Sequence, residues 1–354
     1  MPKSNGFLPV LVLAALLTFP AASQATLAYV RDPLHPTVFV ANDDGSEARK
    51  VGLGSYPHVG PNPVAPAVAY LHEGAAKAPE LRLSVIAGEF TAPRQATLLV
   101  GFREPSYLAW TRDLSTIAAL KGPEVGRRKL VLIDVLTGAQ RVVAQGFFSG
   151  FSFSPDGSEI VYAKAEKERY PPRSDVFRLQ FVPPGAVSVA AEQPVRLTRD
   201  HNSSHPLWGP NGKIVFVKAV EGKKRRYGPK NELFLMNPRG KGVKRLTHTA
   251  VDPLLQGLFP TDWSANGRRL LAQFEGQDTS YAVTVNPQTG AQRPLLKAEE
   301  AGFVGTDLSA DGTTVLGYQG GFDPSNEHNV VSVPYAGGEP TVLARNASEP
   351  SWSR

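Results

Sequence analysis

The sequence predicts an all-β protein, a seven-bladed β-propeller with four strands in each blade, and a six-bladed propeller is the alternative. Three observations support this prediction: a turn motif that recurs along the chain, strand-like segments at constant places around each turn, and two chain ends that complete each other. Glycine and proline, with 33 and 31 of the 354 residues, are both abundant, which favours many turns over long helices.

The recurring motif is an Asp-Gly or Asn-Gly pair between two apolar segments. Its four clearest copies are Asp156 and Gly157, Asn211 and Gly212, Asn266 and Gly267, and Asp311 and Gly312. These copies follow one another at intervals of 55, 55 and 45 residues, and weaker copies lie around Asn62 and Asp113. Such pairs favour tight hairpins because both residues tolerate a positive φ. The period therefore indicates a repeated β-hairpin.

Each copy of the motif contains segments for four strands. Around Asp156, for example, residues 151–153 precede the turn, and residues 159–163, 176–181 and 195–198 follow it. The segments are rich in the β-branched and aromatic residues that favour strands. Four strands in a repeat of about 45 residues are typical of a propeller blade. A β-sandwich has strands at similar spacing, but it would not repeat the same turn six times.

The two chain ends supply complementary strands. Residues 348–354 match the first strand of a copy that stops before its turn, and residues 26–31 match a second strand that lacks a first. We expect these strands to share one blade, because such a blade would close the ring and leave no free sheet edge. Six internal copies and this shared blade give seven.

The N-terminus has the pattern of an export signal. Lys3 precedes an apolar segment over residues 7–19, and the small residues Ser23 and Ala25 follow. We therefore predict a signal peptide over residues 1–25 and a single propeller domain over residues 26–354. The expected protein is periplasmic or secreted, without a transmembrane segment after cleavage, and an uncleaved membrane anchor is the alternative. The absence of cysteine excludes disulfides, thiol nucleophiles and Cys-based zinc sites.

A longer pattern surrounds two of the turns. An Arg-Leu-Thr segment, at residues 196–198 and 245–247, is followed by a tryptophan before the next turn, Trp208 and Trp263. With the Trp-Ser-Pro-Asp-Gly type of turn, this pattern resembles the WD40-like repeat of the TolB-like propeller family. The resemblance extends over residues 26–354 and implies a bacterial origin, although the α/β domain that precedes the propeller of TolB has no counterpart here. Propellers of this type occur as periplasmic scaffolds, as lyases and as non-catalytic domains of peptidases.

Three histidines form the one candidate metal site. His201 and His205 lie in the segment that enters one blade, and His248 lies in the equivalent segment of the next. Three imidazoles near the channel could bind a divalent metal, with Asp200 or Asp252 as an oxygen ligand. The arrangement resembles in outline the oligogalacturonate lyases, in which a metal on propeller loops acidifies a proton beside a uronate carboxylate. The alternative is that the three are solvated loop histidines.

Other chemistry has little support in the sequence. The nucleophile elbow of α/β-hydrolases, the phosphate-binding loop and the dinucleotide fingerprint are absent. The net charge of +6 is spread among 32 acidic residues without a nucleic-acid motif, so we expect no nucleic-acid partner. The sequence predicts a monomeric scaffold without catalysis that binds a protein or a cell-envelope polymer at its channel-facing loops. A metal-dependent uronate lyase or hydrolase and a purely structural envelope protein stay open as alternatives.

Overall fold

The computed structural model describes residues 26–32, 34–61, 67–74, 78–85, 94–123, 126–168, 173–182, 193–221, 229–249, 257–276, 279–296, 302–320 and 327–353. These residues form strands and turns, and a helix long and apolar enough to span a membrane does not occur among them. The predicted signal peptide, the repeat copy at Asn62 and the possible ligand Asp252 lie outside the described residues.

The strands are short and follow one another at close spacing. In chain order they are β1 (Thr26–Arg31), β2 (Thr37–Asn42), β3 (Arg49–Leu53), β4 (Ser55–Val59), β5 (Ala67–His72), β6 (Glu80–Val85), β7 (Arg94–Val100), β8 (Phe102–Trp110), β9 (Thr116–Lys121), β10 (Arg128–Asp134), β11 (Gln140–Phe153), β12 (Glu159–Ala165), β13 (Asp175–Gln180), β14 (Val195–Arg196), β15 (Ser203–Trp208), β16 (Ile214–Val220), β17 (Lys230–Met236), β18 (Lys244–Arg245), β19 (Gly257–Trp263), β20 (Leu270–Glu275), β21 (Ser280–Val285), β22 (Gln292–Pro294), β23 (Val304–Leu308), β24 (Thr314–Gln319), β25 (Asn329–Pro334), β26 (Thr341–Arg345) and β27 (Ala347–Trp352).

Antiparallel pairing groups these described strands into seven units of four. Unit 1 has the order β27-β1-β2-β3, unit 2 is β4 to β7, and unit 3 is β8 to β11. The long strand β11 pairs first with β10 and then with β12, so it also begins unit 4, which ends with β14. Units 5, 6 and 7 are β15 to β18, β19 to β22 and β23 to β26. The two ends of the described chain meet in unit 1, where Leu27 is opposite Trp352 and Arg31 is opposite Ala347.

Buried side chains fill the space between consecutive units. Leu81 of unit 2, for example, packs in one cluster with Ile117 of unit 3. The last such cluster joins Leu316 of unit 7 to Leu27 of unit 1. The molecule is therefore an all-β protein with the strand pairing and packing of a propeller. Seven blades and closure through the chain ends are the interpretation that these contacts favour.

The repeated turns have one geometry, which differs in a detail from the expectation. In each turn only the glycine has a positive φ, between 65° and 73°, while the preceding Asp or Asn does not. At the first of the four, the Gly157 N–H donates to the Ser154 carbonyl at 2.9 Å. The Asp156 carboxylate accepts from the Ser158 N–H at 3.1 Å. Asp156 therefore stabilises the turn through its side-chain acceptor and does not use left-handed backbone.

The Arg-Leu-Thr segments hold the outer part of two units together. In unit 5 the Arg245 guanidinium donates to the buried Glu232 carboxylate at 3.1 Å, and the Thr247 hydroxyl donates to it at 2.6 Å. In unit 4, Arg196 and Thr198 contact the buried Asp175 in the same way. We call each set of three residues an acid–Arg–Thr cluster. In both units the acidic residue lies in the third strand, β13 or β17, and the arginine and threonine follow it in the chain.

Candidate functional site

The first strands of all seven units line one cavity of about 790 Å³, which we call the central channel. In each unit the pairing of the first strand with the second strand shifts register once, as it does at a β-bulge. Bulges re-aim side chains and are common beside binding sites. One lining residue from each strand, in chain order, is His58, Tyr107, Phe151, His205, Phe259, Asp307 and Glu349.

Three of the side chains that line the channel stand on left-handed backbone. Tyr56, His205 and Glu349 have φ values of 50°, 47° and 52°, and each precedes a proline. A non-glycine residue in this conformation costs about 1–3 kcal/mol and persists only where its surroundings hold it. The bulges thus hold a tyrosine, a histidine and a glutamate at the channel in equivalent positions of three units.

His205 is the centre of an aromatic group in the channel. Its Nε2 lies 3.2 Å from the Tyr107 hydroxyl and its Nδ1 lies 3.0 Å from the Ser204 hydroxyl. The ring centroid of His205 is 4.8 Å from that of Phe259 and 6.2 Å from that of Tyr107, both in edge contact. Burial lowers the pKa of His205 to about 4, and burial raises the pKa of Tyr107 to about 12. Both groups are therefore neutral at pH 7.

The low pKa of His205 predicts a loss of stability in acid. An unfolded histidine has a pKa of about 6.5, so between pH 6.5 and 4 the unfolded chain binds a proton that the folded chain excludes. The stability that neutral His205 allows is therefore fully present above pH 6.5 and is lost as the pH falls toward 4. We expect His205 to lower the free energy of unfolding by about 2 kcal/mol at pH 4.5, after allowance for its partial exposure.

Urea unfolding at pH 7 and pH 4.5 measures this effect. His205→Gln should reduce the difference in unfolding free energy between the two pH values by about 2 kcal/mol. His248→Gln is the control, because that side chain is exposed. An unchanged pH dependence in His205→Gln would contradict the prediction.

Four carboxylates and one arginine are the charged groups among the residues that line the channel: Asp262, Glu275, Asp307, Glu349 and Arg112. Asp262 accepts the Trp263 and Leu308 N–H groups, both at 2.7 Å. Glu349 accepts the Tyr56 N–H at 2.6 Å. Burial raises the pKa of Glu275 and also that of Glu349. The lining is therefore acidic, although the whole chain has a net charge of +6.

The structure does not bring the three predicted metal ligands together. His205 lies in the channel, whereas the Nδ1 atom of His201 is 2.9 Å from Asp175 at the edge of unit 4. His248 is exposed next to the acid–Arg–Thr cluster of unit 5. Asp200 binds Lys218 at 2.7 Å. No group of three His, Asp or Glu side chains able to hold a metal occurs within the described ranges. The metal site thus stays a prediction from sequence spacing, which Mn²⁺ titration of the protein can test.

Comparisons with known proteins agree with the fold. TolB from Acinetobacter baumannii matches 97% of this chain and 70% of its own length, at 17% identity and a TM-score of 0.53. The propeller domain of the trilobed protease from Pyrococcus furiosus matches 92% of this chain and 95% of its own length, at 12% identity and a TM-score of 0.61. In fold, the chain is a TolB-like β-propeller.

Another structure that this TolB-like propeller matches is that of an enzyme. An oligogalacturonate lyase in complex with manganese matches 92% of this chain and 86% of its own length, at 13% identity and a TM-score of 0.55. No family model and no curated protein matches the sequence. At these identities the likeness extends to the fold alone, so function has to be argued from the central channel.

Sequence analysis missed most of the channel residues. Tyr107 and Glu275 lie outside the repeated motif, and the folded units bring Tyr107 against His205 and both residues to the same cavity. One signal was available: a residue followed by proline recurs near the start of the first strands, as at Tyr56, His205 and Glu349. That pattern could have singled out three lining residues.

Proposed function

We propose that this TolB-like propeller is an exported binding scaffold without catalysis of its own, and that its central channel holds part of a partner protein or a cell-envelope polymer. The observation that supports this function most directly is the channel lining itself. Tyr56, His205 and Glu349 are held at the channel on left-handed backbone, in equivalent positions of three units. Strain of this kind is typical of binding and catalytic sites.

The chemistry of the lining also suits a ligand. Aromatic and aliphatic side chains alternate with a few polar groups, as they do in binding pockets generally. Export rests on the signal-like N-terminus and is part of the proposal.

Affinity capture from the envelope fraction of the source cells tests the proposal. The unchanged protein should recover one partner at least about tenfold more efficiently than a Tyr56→Ala/Glu349→Ala double variant. Quantitative mass spectrometry measures recovery of a protein, and sugar analysis measures recovery of a polymer. The control is Leu136→Ala/Val142→Ala, two side chains that are about half exposed on the outside of unit 3, at 47% and 53%.

The outcome also distinguishes the two kinds of ligand. Protease treatment of the extract should abolish capture of a protein partner, whereas digestion of envelope polysaccharide should abolish capture of a polymer. Equal recovery by the unchanged protein and the double variant, or recovery of nothing above background, would refute the proposed scaffold role.

A further inference from the structure

The central channel combines two features that together define one class of ligand. One is a group of aromatic rings formed by Tyr107, His205 and Phe259, which belong to three different units. The other is the carboxylate of Glu275, which lines the same cavity and, after burial and the charge of Glu104, helps to raise the pKa of Tyr107. We call these four residues the cation pocket.

Aromatic faces attract cations because the ring quadrupole is negative above the ring plane. A neutral histidine adds a further ring without adding positive charge, and burial keeps His205 neutral at pH 7. Glu275 has no ion-pair or hydrogen-bond partner within the described part of the chain. A partly buried carboxylate without a counter-ion is unfavourable, so an arriving cation would gain from it.

The remaining charges of the channel favour the same ligand. Glu349 comes from unit 1 and shares its carboxylate with a single backbone N–H, that of Tyr56. Arg112, the basic residue of the lining, lies in the turn after β8 and not among the rings of the cation pocket. Among the described residues, neither Glu275 nor Glu349 forms an ion pair, so both carboxylates can contribute to the binding of a cation.

A bare metal ion fits this pocket poorly. Metal ions need several oxygen or nitrogen ligands at one point, and the described residues offer no such group. An organic cation needs less: a flat or apolar body against the rings and one carboxylate at its charged end. Arginine and lysine side chains have this form, and arginine also stacks on aromatic rings.

We propose that the cation pocket recognises an arginine or lysine side chain on a segment of the partner protein. This inference rests on the proposed function and narrows it to a partner of stated chemistry. It carries a counter-intuitive expectation, since a basic segment must bind a protein whose own net charge is +6. Local acidity of the channel has to outweigh the charge of the whole molecule.

Two peptides test the inference by calorimetry. One is an acetylated and amidated Gly/Ser peptide with two arginines, and the other has citrulline, which is uncharged and of the same shape, in their place. The arginine peptide should bind about tenfold more tightly or better, and the advantage should shrink in 300 mM NaCl compared with 20 mM. Equal affinity for the two peptides would overturn the proposal.

Variants of the protein locate the effect. Glu275→Gln should remove about a tenfold preference for arginine, and Phe259→Leu should weaken arginine binding severalfold with citrulline binding unchanged. Glu339→Gln, which removes the same charge from an exposed outer turn, is the matched control and should bind as the unchanged protein does. A similar loss in Glu339→Gln would show general charge attraction and overturn the pocket. Phe259→Leu keeps the test valid should Glu275→Gln fail to fold.

The inference and the function on which it rests can fail separately. If capture of a partner depends on Tyr56 and Glu349 but not on Glu275, the channel binds a ligand and the cation pocket is wrong. If the arginine peptide binds through Glu275 but no envelope component is captured, the pocket is right and the scaffold role is not supported.

Discussion

Glu232→Ala should lower the free energy of unfolding by about 3–5 kcal/mol. Glu232 has no solvent exposure, and its carboxylate accepts hydrogen bonds from the Arg245 guanidinium, the Thr247 hydroxyl and the Thr249 N–H. Removal of the carboxylate takes away the acceptor that these three donors share, which is the costly way to break a buried ion pair. The loss should be large because unit 5 has only a two-residue fourth strand, β18, and the cluster anchors it.

Urea unfolding followed by circular dichroism measures the change. Glu339→Ala is the control, because this glutamate is exposed, and it should stay within about 0.5 kcal/mol of the unchanged protein. Asp175→Ala, the equivalent change in unit 4, should behave as Glu232→Ala does, since Arg196 and Thr198 contact its carboxylate. A loss below about 1 kcal/mol in Glu232→Ala would mean that the cluster does not anchor the fourth strand.

The sequence predicted the fold well because its signals are local. A turn pair such as Asp156 and Gly157 fixes the position of two strands by itself, through one left-handed glycine and one side-chain acceptor. The strands around it follow from short β-branched runs, and repetition makes each weak signal stronger. The turn conformation was less predictable, because type I turns with a following glycine and mirror-image turns share the same residue pair.

The site was less predictable because it is assembled from strands far apart in the chain. His201 and His205 are four residues apart, yet both have a positive φ and their rings have different partners, Asp175 and Tyr107. The spacing of the two histidines in the sequence cannot show that their side chains point to different partners. Glu275 has no motif around it, and its role depends on which rings the neighbouring units place beside it.

Trp352→Ala should cost about 3–5 kcal/mol, close to the largest effects seen when a buried aromatic side chain is deleted. Trp352 is 9% exposed and pairs opposite Leu27 in unit 1, so it joins the two ends of the described chain. Its side chain packs with Tyr29 of the same unit and with Leu316 of unit 7. Truncation therefore leaves a cavity where β27 pairs with β1, the two strands that bring the ends of the described chain together. Closely packed neighbours fill such a cavity only in part.

Thermal and urea unfolding of Trp352→Ala and of Val342→Ala separate this junction from its surroundings. Val342 lies in β26 of unit 7 and is 42% exposed, so its truncation should change stability by less than about 0.5 kcal/mol. If unit 1 closes the ring of units, Trp352→Ala should also lower the urea midpoint in one cooperative transition, because the units at the opened junction lose a packing partner and the weakened ring unfolds as one. A two-step transition, with the other units unfolding at their original midpoint, would show that the ends hold only themselves together. That result would leave the paired termini as a local feature and would contradict closure as the source of the stability of the molecule.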